Sequence, residues 1–338
     1  MTFSNPISKI ATIALVVAVA VLIGTTWTSA SPSVWKLQGW TKTNFDKKNI
    51  EFDEILSGGP PKDGIPSIDK PKFIAAEQEM DLGELEPVIG LEINGEAKAY
   101  PLRILIWHEI VNDVLGGKPV SVTYCPLCNS AIVFEREFNG RVHDFGTTGK
   151  LRNSDLVMYD RQTESWWQQF EGKGIVGKYT DRELVTIPAR LESFAKFKAR
   201  HAKGKVLTPA NRRIRQYGYN PYVGYDSRKA PYPLFRGDLP TDINPMARVV
   251  VVKSKGKSVG VTMDLVRKSG PVKVDDITIS WEKGQNSALD ASSIGKGKDV
   301  GNITAQRVLD GKTVDHVYDV TFAFVFNAFY PDQKIRQN

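Results

Sequence analysis

Residues that bind metals or act as strong nucleophiles are scarce in this chain, whose 338 residues include two cysteines, four histidines and five methionines. The His-Glu-x-x-His motif of zinc proteases is missing from the sequence. The Gly-x-Ser-x-Gly pattern of hydrolases occurs at Gly256–Gly260, but inside a predicted hairpin and not at a strand-to-helix turn. The glycine pattern of the dinucleotide fingerprint occurs at Gly172–Gly177, but no helical period follows it. The segment 145–150 resembles a phosphate loop, but it lacks the required gap between glycines and a Ser or Thr after its lysine. The common hydrolase and dehydrogenase mechanisms therefore find no support.

Long hydrophobic runs are also scarce, and the clearest one covers residues 10–24. Only Lys9 precedes this uncharged run closely, and the small residues 28–30 follow it. A membrane-spanning helix needs about 20 apolar residues, so the run favours a cleaved signal peptide over an N-terminal membrane anchor. We expect residues 1–30 to direct export, and the protein to be periplasmic or anchored to the inner membrane facing the periplasm.

A strong charge of one sign is missing as well. The chain has 45 Lys and Arg against 38 Asp and Glu, a formal net charge of +7. Its basic clusters (212–215, 253–257 and 296–298) are short and scattered, which is typical of solvated loops. No nucleic-acid partner is expected; membrane association is expected only through the N-terminal segment, and other partners are unknown.

What the chain does contain is a series of short β-branched and aromatic runs. Residues 31–75 come first, and their many Gly, Pro and Lys residues predict an extended lead-in that wraps the domain. Pro87–Tyr100 predicts two strands that turn at Asn94-Gly95. Pro101–Leu115 predicts a helix closed by Gly116-Gly117. The alternating aromatic residues of 322–330 predict a strand.

A weak internal repeat indicates a duplicated β unit. Pro87–Leu105 resembles Ala247–Leu265, and Val120–Cys125 resembles Asp276–Trp281. We therefore predict a mainly β (β-rich α+β) protein with a few helices, in which the two copies form a barrel-like or sandwich architecture.

The repeat also sets the predicted domain boundaries. Residues 76–240 are the first β-rich repeat, which carries the cysteines, and residues 241–338 are a second, degenerate repeat. Since the second copy lacks both cysteines and His108, we expect any chemistry to belong to the first.

The two cysteines lie in one turn, Cys125-Pro-Leu-Cys128, between two predicted strands. This spacing brings two thiols within reach of a disulfide, and it can equally place two thiolates on one edge of a metal tetrahedron. A disulfide, a redox pair and half of a metal site are thus the three alternatives. A second cysteine pair, which an all-cysteine zinc site would need, is missing.

A metal site at Cys125 and Cys128 would need other ligands, and His108 is the first candidate because its predicted helix directly precedes the cysteine hairpin. Thiolate and imidazole ligands together suit copper or zinc, the only cofactors that the sequence suggests. Met158 and Asp155 are further ligand candidates. Each of these three residues also has an ordinary structural explanation, as a hydrogen-bonded core histidine or as part of a strand.

Two alternatives use the same cysteines without a metal. A thiol-disulfide oxidoreductase of the thioredoxin type needs its first cysteine at a helix N-terminus, whereas β-branched residues follow this turn. A non-catalytic binding module with a structural Cys125–Cys128 disulfide is the simplest alternative for a protein in an oxidising compartment.

Six segments give the chain a specific resemblance to a bacterial family called domain of unknown function 3179. They occur in the same order over most of residues 55–332: Ser57–Pro66, Ala99–Arg103, Trp107–Asp113, Thr123–Cys128, Asn153–Arg161 and Ala328–Pro331. The chain departs from the family pattern at Trp166-Trp167, where the family has a leucine before a single tryptophan. The resemblance implies an exported or membrane-attached protein with no established activity.

Overall fold

The β-branched runs become strands that are joined mostly by tight turns. In the computed structural model, which describes residues 31–338, six hairpin turns have two consecutive residues with positive φ: Asn94-Gly95, Gly116-Gly117, Asn139-Gly140, Asn153-Ser154, Lys255-Gly256 and Asp310-Gly311. Two positive φ angles give the turn type whose twist matches that of paired strands, which is why Gly or Asn occupies most of these positions.

The described residues form six sheets. In residues 55–208, one sheet has the order β1-β10-β11-β12-β13, with β1 Ile55–Ser57, β10 Phe145–Arg152, β11 Asp155–Asp160, β12 Trp166–Gln168 and β13 Lys173–Val176. A second has the order β14-β7-β6-β5, with β14 Thr186–Ile187, β7 Ser130–Glu135, β6 Lys118–Cys125 and β5 Ile110–Leu115. A third has the order β15-β3-β4-β16-β2, with β15 Arg190–Ser193, β3 Pro87–Ile93, β4 Glu96–Pro101, β16 Lys205–Thr208 and β2 Lys72–Ala75. A short hairpin pairs β8 Glu137–Phe138 with β9 Arg141–Val142.

The two remaining sheets lie in residues 248–322. One has the order β18-β17-β23, with β18 Lys257–Thr262, β17 Arg248–Ser254 and β23 Tyr318–Phe322. The other has the order β19-β20-β21-β22, with β19 Val272–Val274, β20 Ile277–Glu282, β21 Asn302–Leu309 and β22 Lys312–Asp315. Five short α-helices complete the described chain: α1 Pro32–Leu37, α2 Leu102–His108, α3 Phe194–Arg200, α4 Met263–Ser269 and α5 Ala323–Phe329.

The prediction of a mainly β protein with a few helices is confirmed. None of the sheets of residues 31–338 closes into a barrel, so several packed sheets describe the architecture better. Residues 42–338 make up one compact unit, and the described residues before Lys42, with helix α1, belong to another. The signal peptide or anchor predicted for residues 1–30 lies outside the described residues. Within them, no helix combines the length and the apolar character that a membrane crossing requires.

The helix predicted for Pro101–Leu115 is only half correct. Helix α2 ends at His108, where Glu109 takes a φ of +58°, and the chain continues as strand β5. Strand β5 is rich in β-branched residues and pairs with β6 over its whole length. Gly116-Gly117, which the sequence suggested as a helix cap, is instead the turn of this hairpin.

The strand predicted for residues 322–330 is wrong beyond Phe322. Strand β23 ends there and helix α5 follows at once. The first four residues of α5 are all buried, because the helix packs against both β17 and β23. A helix that is apolar on every side does not show the 3.6-residue hydrophobic period of an amphipathic helix. The alternating aromatic residues of this segment therefore suggested a strand.

The segments that the sequence aligned as a repeat have the same order of elements. In each copy a hairpin (β3-β4 or β17-β18) leads directly into a seven-residue helix (α2 or α4), and three further strands follow. The correspondence extends further along the chain. Strand β15 pairs antiparallel with β3 and is followed by α3, just as β23 pairs antiparallel with β17 and is followed by α5.

The lead-in packs over strand β10. The main-chain N–H of Asp63 donates to the Thr147 carbonyl at 2.9 Å, and the Thr147 hydroxyl donates to the Ile65 carbonyl at 2.7 Å. Gly149 lies under this segment with a φ of +69°, and a Cβ atom there would be only 1.9 Å from the Pro60 carbonyl oxygen. The lead-in can therefore dock only against a glycine.

This contact predicts a difference between two glycine substitutions. Gly140 has nearly the same φ, +66°, but no atom lies within 4 Å of the position of its Cβ. Gly140→Ala should therefore lower the free energy of unfolding by the backbone cost alone, about 1–2 kcal/mol. Gly149→Ala should cost roughly 1–3 kcal/mol more, because the lead-in has to move. Urea denaturation measures both values, and equal losses would contradict the docking of the lead-in.

Candidate functional site

The cysteine turn joins strands β6 and β7 at the end of their ladder, where Cys125 pairs with Ser130. The turn is tight: the N–H of Cys128 donates to the Cys125 carbonyl at 3.3 Å, and the N–H of Asn129 donates to the Pro126 carbonyl at 3.2 Å. Asn129 takes a φ of +55° to lead back into β7. Both cysteines are fully buried, and their sulfur atoms are not joined in a disulfide.

The second repeat holds the turn from outside. The hydroxyl of Thr321, in β23, donates to the Cys128 carbonyl at 2.8 Å, and the N–H of Phe322 donates to the same oxygen at 3.3 Å. The Asn129 amide donates to the Val320 carbonyl at 2.8 Å. On another side, the Tyr225 hydroxyl donates to the Leu127 carbonyl at 3.0 Å. The degenerate copy thus fixes the turn that the first copy provides.

Asp155 brings a carboxylate to the two sulfur atoms. One ligand atom from each of Cys125, Cys128 and Asp155 lies within 4.8 Å of the others, and all three residues are buried. Asp155 Oδ2 accepts hydrogen bonds from the Gln168 amide at 2.6 Å and from the Phe170 N–H at 2.9 Å. Its other oxygen, Oδ1, is buried and accepts no hydrogen bond from a nitrogen or oxygen donor, so the neighbouring Cys128 thiol is the donor on this side of the carboxylate. The carboxylate is therefore oriented through one oxygen, while the other faces the cysteine pair.

Burial makes negative charge unfavourable at this place. It raises the pKa of both thiols, and that of Cys128 well above the usual value. Burial also raises the pKa of Asp155 to about 7. Without a cation nearby, all three groups are therefore largely protonated below neutral pH. A positive ion at this position would reverse that preference.

The structure places His108 apart from the three buried groups. Its Nδ1 is 2.7 Å from the Pro66 carbonyl oxygen and its Nε2 is 2.8 Å from the Tyr217 hydroxyl. Because a carbonyl only accepts, Nδ1 carries the hydrogen and Nε2 accepts from Tyr217. Burial lowers the pKa of His108, which favours this neutral form. Both ring nitrogens are thus engaged, and His108 would have to leave these partners to bind a metal.

Met158 was the other ligand candidate. It lies three residues after Asp155 on strand β11, so the alternation of strand side chains places the two on opposite faces of the sheet. Nothing in this arrangement supports Met158 as a ligand, and its role stays a prediction.

Glu109 is a residue that the sequence analysis did not select. It is 8% exposed, and its carboxylate makes no hydrogen bond or ion pair that the described part of the chain reveals. The main-chain carbonyl of Glu109 accepts the N–H of Tyr124 at 2.8 Å. The Glu109 backbone therefore lies next to the residue that precedes the cysteine turn. Burial, together with the nearby Asp155, raises the pKa of Glu109 to about 8.

Two other polar side chains of the segment 107–113, those of Asn112 and Asp113, have hydrogen-bond partners. Asn112 donates to the Phe145 carbonyl and accepts its N–H, and Asp113 accepts from the Tyr100 hydroxyl at 2.7 Å. These side chains have structural partners, and Glu109 has none. Its position next to His108, in a segment that carries the family resemblance, was the signal in the sequence that could have identified it.

Several residues near Cys125, Cys128 and Asp155 have unusual backbone conformations. Glu109, Asn129, Asn153 and Ser154 all have positive φ, between +53° and +64°. Ser154 is buried, and its carbonyl lies 3.7 Å from the Cys125 sulfur. Positive φ is unfavourable for residues other than glycine, and such residues are concentrated at functional sites.

Comparison with known proteins identifies the family. The model of the family described as "Protein of unknown function (DUF3179)" matches residues 62–333, and the chain belongs to this family. No curated protein and no solved structure matches the chain significantly.

The raised pKa of Asp155 predicts a pH dependence of stability. Its pKa is about 7 in the folded protein against 3.8 for a free side chain, so between about pH 4 and pH 7 the folded state binds more protons than the unfolded state. The free energy of unfolding of the metal-free protein should therefore fall as the pH rises through this range. Asp155→Asn should flatten the fall, as measured by urea denaturation at several pH values.

Asp264 provides the control for this prediction. It is exposed, and its pKa is lowered by hydrogen bonds to Lys268 and Arg267, so Asp264→Asn should leave the dependence between pH 5 and pH 7 unchanged. An Asp155→Asn variant that keeps the full fall would show that the buried carboxyl does not titrate as described.

Proposed function

We propose that this member of the DUF3179 family binds a thiophilic transition metal, zinc or copper, through Cys125, Cys128 and Asp155. The observation that carries the proposal is the convergence of two sulfur atoms and a carboxylate oxygen within 4.8 Å of one another in a fully buried place. Thiolates and a carboxylate are established ligands of zinc, and thiolates are also the preferred ligands of copper(I).

The surroundings of these three groups support a cation. Asp155 Oδ1 accepts no hydrogen bond from a nitrogen or oxygen donor, and burial together with Asp155 raises the pKa of the neighbouring Glu109 to about 8. An unpaired buried polar group is costly, whereas a bound cation would satisfy both carboxylates and stabilise the thiolates. Binding would release the protons that burial otherwise keeps on these groups.

Zinc fits this set of groups better than copper. Zinc accepts mixed sulfur and oxygen ligands in a tetrahedron, whereas a carboxylate contributes little to copper(I). Cys125, Cys128 and Asp155 supply three positions, and Glu109, whose charge acts on both Cys125 and Asp155, is our candidate for the fourth. His108, which the sequence favoured, has both ring nitrogens hydrogen-bonded elsewhere.

The alternatives without a metal find less support. A thiol-disulfide oxidoreductase needs an accessible thiolate of lowered pKa, whereas burial raises the pKa of both thiols here. A structural disulfide between Cys125 and Cys128 would remove the thiol hydrogen that Cys128 offers to Asp155 and would leave Asp155 Oδ1 without a donor.

The metal proposal predicts the metal content of matched variants. Protein purified without chelators should contain about one equivalent of zinc or copper by elemental analysis, and Cys125→Ser, Cys128→Ser and Asp155→Asn should each lose most of it. Asp160→Asn is the control, because Asp160 is a buried aspartate on the same strand, whose two oxygens accept hydrogen bonds from the Thr163 N–H at 2.7 Å and the Trp167 indole at 3.1 Å. His108→Asn should also retain the metal.

Two outcomes would reject the metal site. One is wild-type protein that contains no metal and no free thiols under denaturing conditions, which would indicate a disulfide. The other is an equal metal content in Asp155→Asn and Asp160→Asn.

We also propose, from residues 1–30, that the protein is exported to the periplasm or anchored to the inner membrane facing it. The intact mass of the mature protein tests this. We expect a periplasmic species that lacks about 30 residues, or a full-length species in the membrane fraction. Full-length protein in the cytosolic fraction would contradict export.

A further inference from the structure

The four groups assigned to the metal differ in their access to solvent. Cys125 is 1% exposed, and Cys128 and Asp155 are both 0% exposed. Glu109 keeps 8% of its surface exposed, so it is the most accessible of the four. An ion can therefore reach the two thiols only when a neighbouring side chain moves, and Glu109 marks the side on which it would enter.

Paired main chain encloses the cysteine turn on two other sides. Cys125 lies at the end of the β6–β7 ladder, where it pairs with Ser130. On the side of strand β23, the Cys128 carbonyl accepts the main-chain N–H of Phe322 at 3.3 Å. Main-chain hydrogen bonds of a sheet open cooperatively, so an opening on either side would cost a large part of the stability of the sheet.

A loop with three tyrosines, residues 217–225, covers the turn from another direction; we call it the tyrosine loop. The hydroxyl of Tyr217 donates to His108 Nε2 at 2.8 Å, one residue before Glu109. The hydroxyl of Tyr225 donates to the Leu127 carbonyl at 3.0 Å, between the two cysteines. The loop is thus attached to both ends of the proposed metal site through side chains.

Tyr222, the third tyrosine of the loop, is half-buried beside the metal-binding candidates. Burial raises its pKa, and the nearby Glu109 and Cys125 raise it further. Its main chain is hydrogen-bonded, since its N–H donates to Asn220 Oδ1 at 2.7 Å, but within residues 31–338 its hydroxyl forms no hydrogen bond. Rotation of this side chain towards solvent would therefore break no hydrogen bond, in contrast to the other two tyrosines of the loop.

The surroundings of Tyr222 allow such a rotation. Asn220 and Gly224, on either side of it, each donate a main-chain N–H to a carbonyl of the segment 290–292, at 2.8 and 2.6 Å. The loop can thus stay in place while one side chain moves. The hydroxyl of Tyr124 is buried without a partner, and Tyr222 adds to the rise that burial causes in its pKa. Water admitted beside Tyr222 could hydrogen-bond this hydroxyl, which lowers the free-energy cost of opening.

We propose that Tyr222 is the gate of the metal site: the ion enters and leaves beside Glu109 when the Tyr222 ring rotates towards solvent, while the rest of the fold stays closed. The proposal rests on the proposed function, since it concerns the route of the metal to Cys125 and Cys128. It makes the bound metal exchangeable without unfolding. The opening itself is a property of the metal-free protein, so it can be measured through the two thiols.

The rate at which N-ethylmaleimide modifies the thiols of the reduced, metal-free protein tests the gate. Tyr222→Ala should react at least about tenfold faster than the wild type, because the opening is then permanent. Tyr222→Phe keeps the ring and loses only a hydroxyl without a hydrogen bond, so its rate should stay within about twofold of the wild type. Tyr219→Ala is the control, because Tyr219 is exposed on the same loop, and it should react like the wild type.

Urea separates this local opening from unfolding of the whole chain. The modification rate of the wild type at low urea should hardly change with urea concentration, because rotation of one side chain exposes little surface. A rate that rises with the slope of global unfolding would overturn the proposal, and this measurement needs no variant. Equal rates in Tyr222→Ala and Tyr219→Ala would overturn it as well.

Transfer of zinc from the loaded protein to a chelator connects the gate with the metal. Tyr222→Ala should release zinc faster than the wild type by a factor similar to that of its thiol modification. Faster modification with unchanged zinc release would show that the metal takes another route, which contradicts the proposal. A protein that takes up no zinc or copper would contradict the proposed function instead, and the thiol rates would still show whether Tyr222 closes the site.

Discussion

The arrangement around the cysteine turn depends on one constraint: two thiols and a carboxylate are packed together where water cannot stabilise a charge. The turn alone could not hold them there. Strand β23 of the second repeat binds the carbonyls of Cys128 and the side chain of Asn129, and Tyr225 binds the carbonyl of Leu127. Strand β23, in the cysteine-free part of the chain, is therefore the surface against which the cysteine turn is built.

The same constraint separates two neighbouring residues that look equivalent in the sequence. His108 has a partner for each ring nitrogen, and it connects the lead-in to the loop that carries Tyr217. Glu109 follows with a positive φ, and its buried side chain is close enough to Asp155 for the two carboxyl groups to raise each other's cost of ionisation.

Much of the fold could be predicted because its signals are local. Asn94-Gly95 and Asn139-Gly140 specify hairpins through their own backbone preferences, and the cysteine turn between β-branched runs identified β6 and β7. The secondary-structure predictions were wrong for β5 and α5, where most residues are buried and the sequence shows no clear hydrophobic period. The site was predictable only in part: Asp155 was named, but its approach to the sulfur atoms depends on the packing of β11 against the turn. Glu109 was missed because one dihedral angle decides where its side chain lies.

X-ray absorption spectroscopy of the metal-loaded protein identifies the atoms bound to the metal, so it tests whether Cys125, Cys128 and Asp155 bind it. For zinc we expect two sulfur neighbours at about 2.3 Å, together with oxygen ligands at about 2.0–2.2 Å. Loss of one sulfur neighbour in Cys128→Ser would support the assignment. A spectrum with only oxygen and nitrogen neighbours, or a protein that cannot be loaded with zinc or copper, would contradict it.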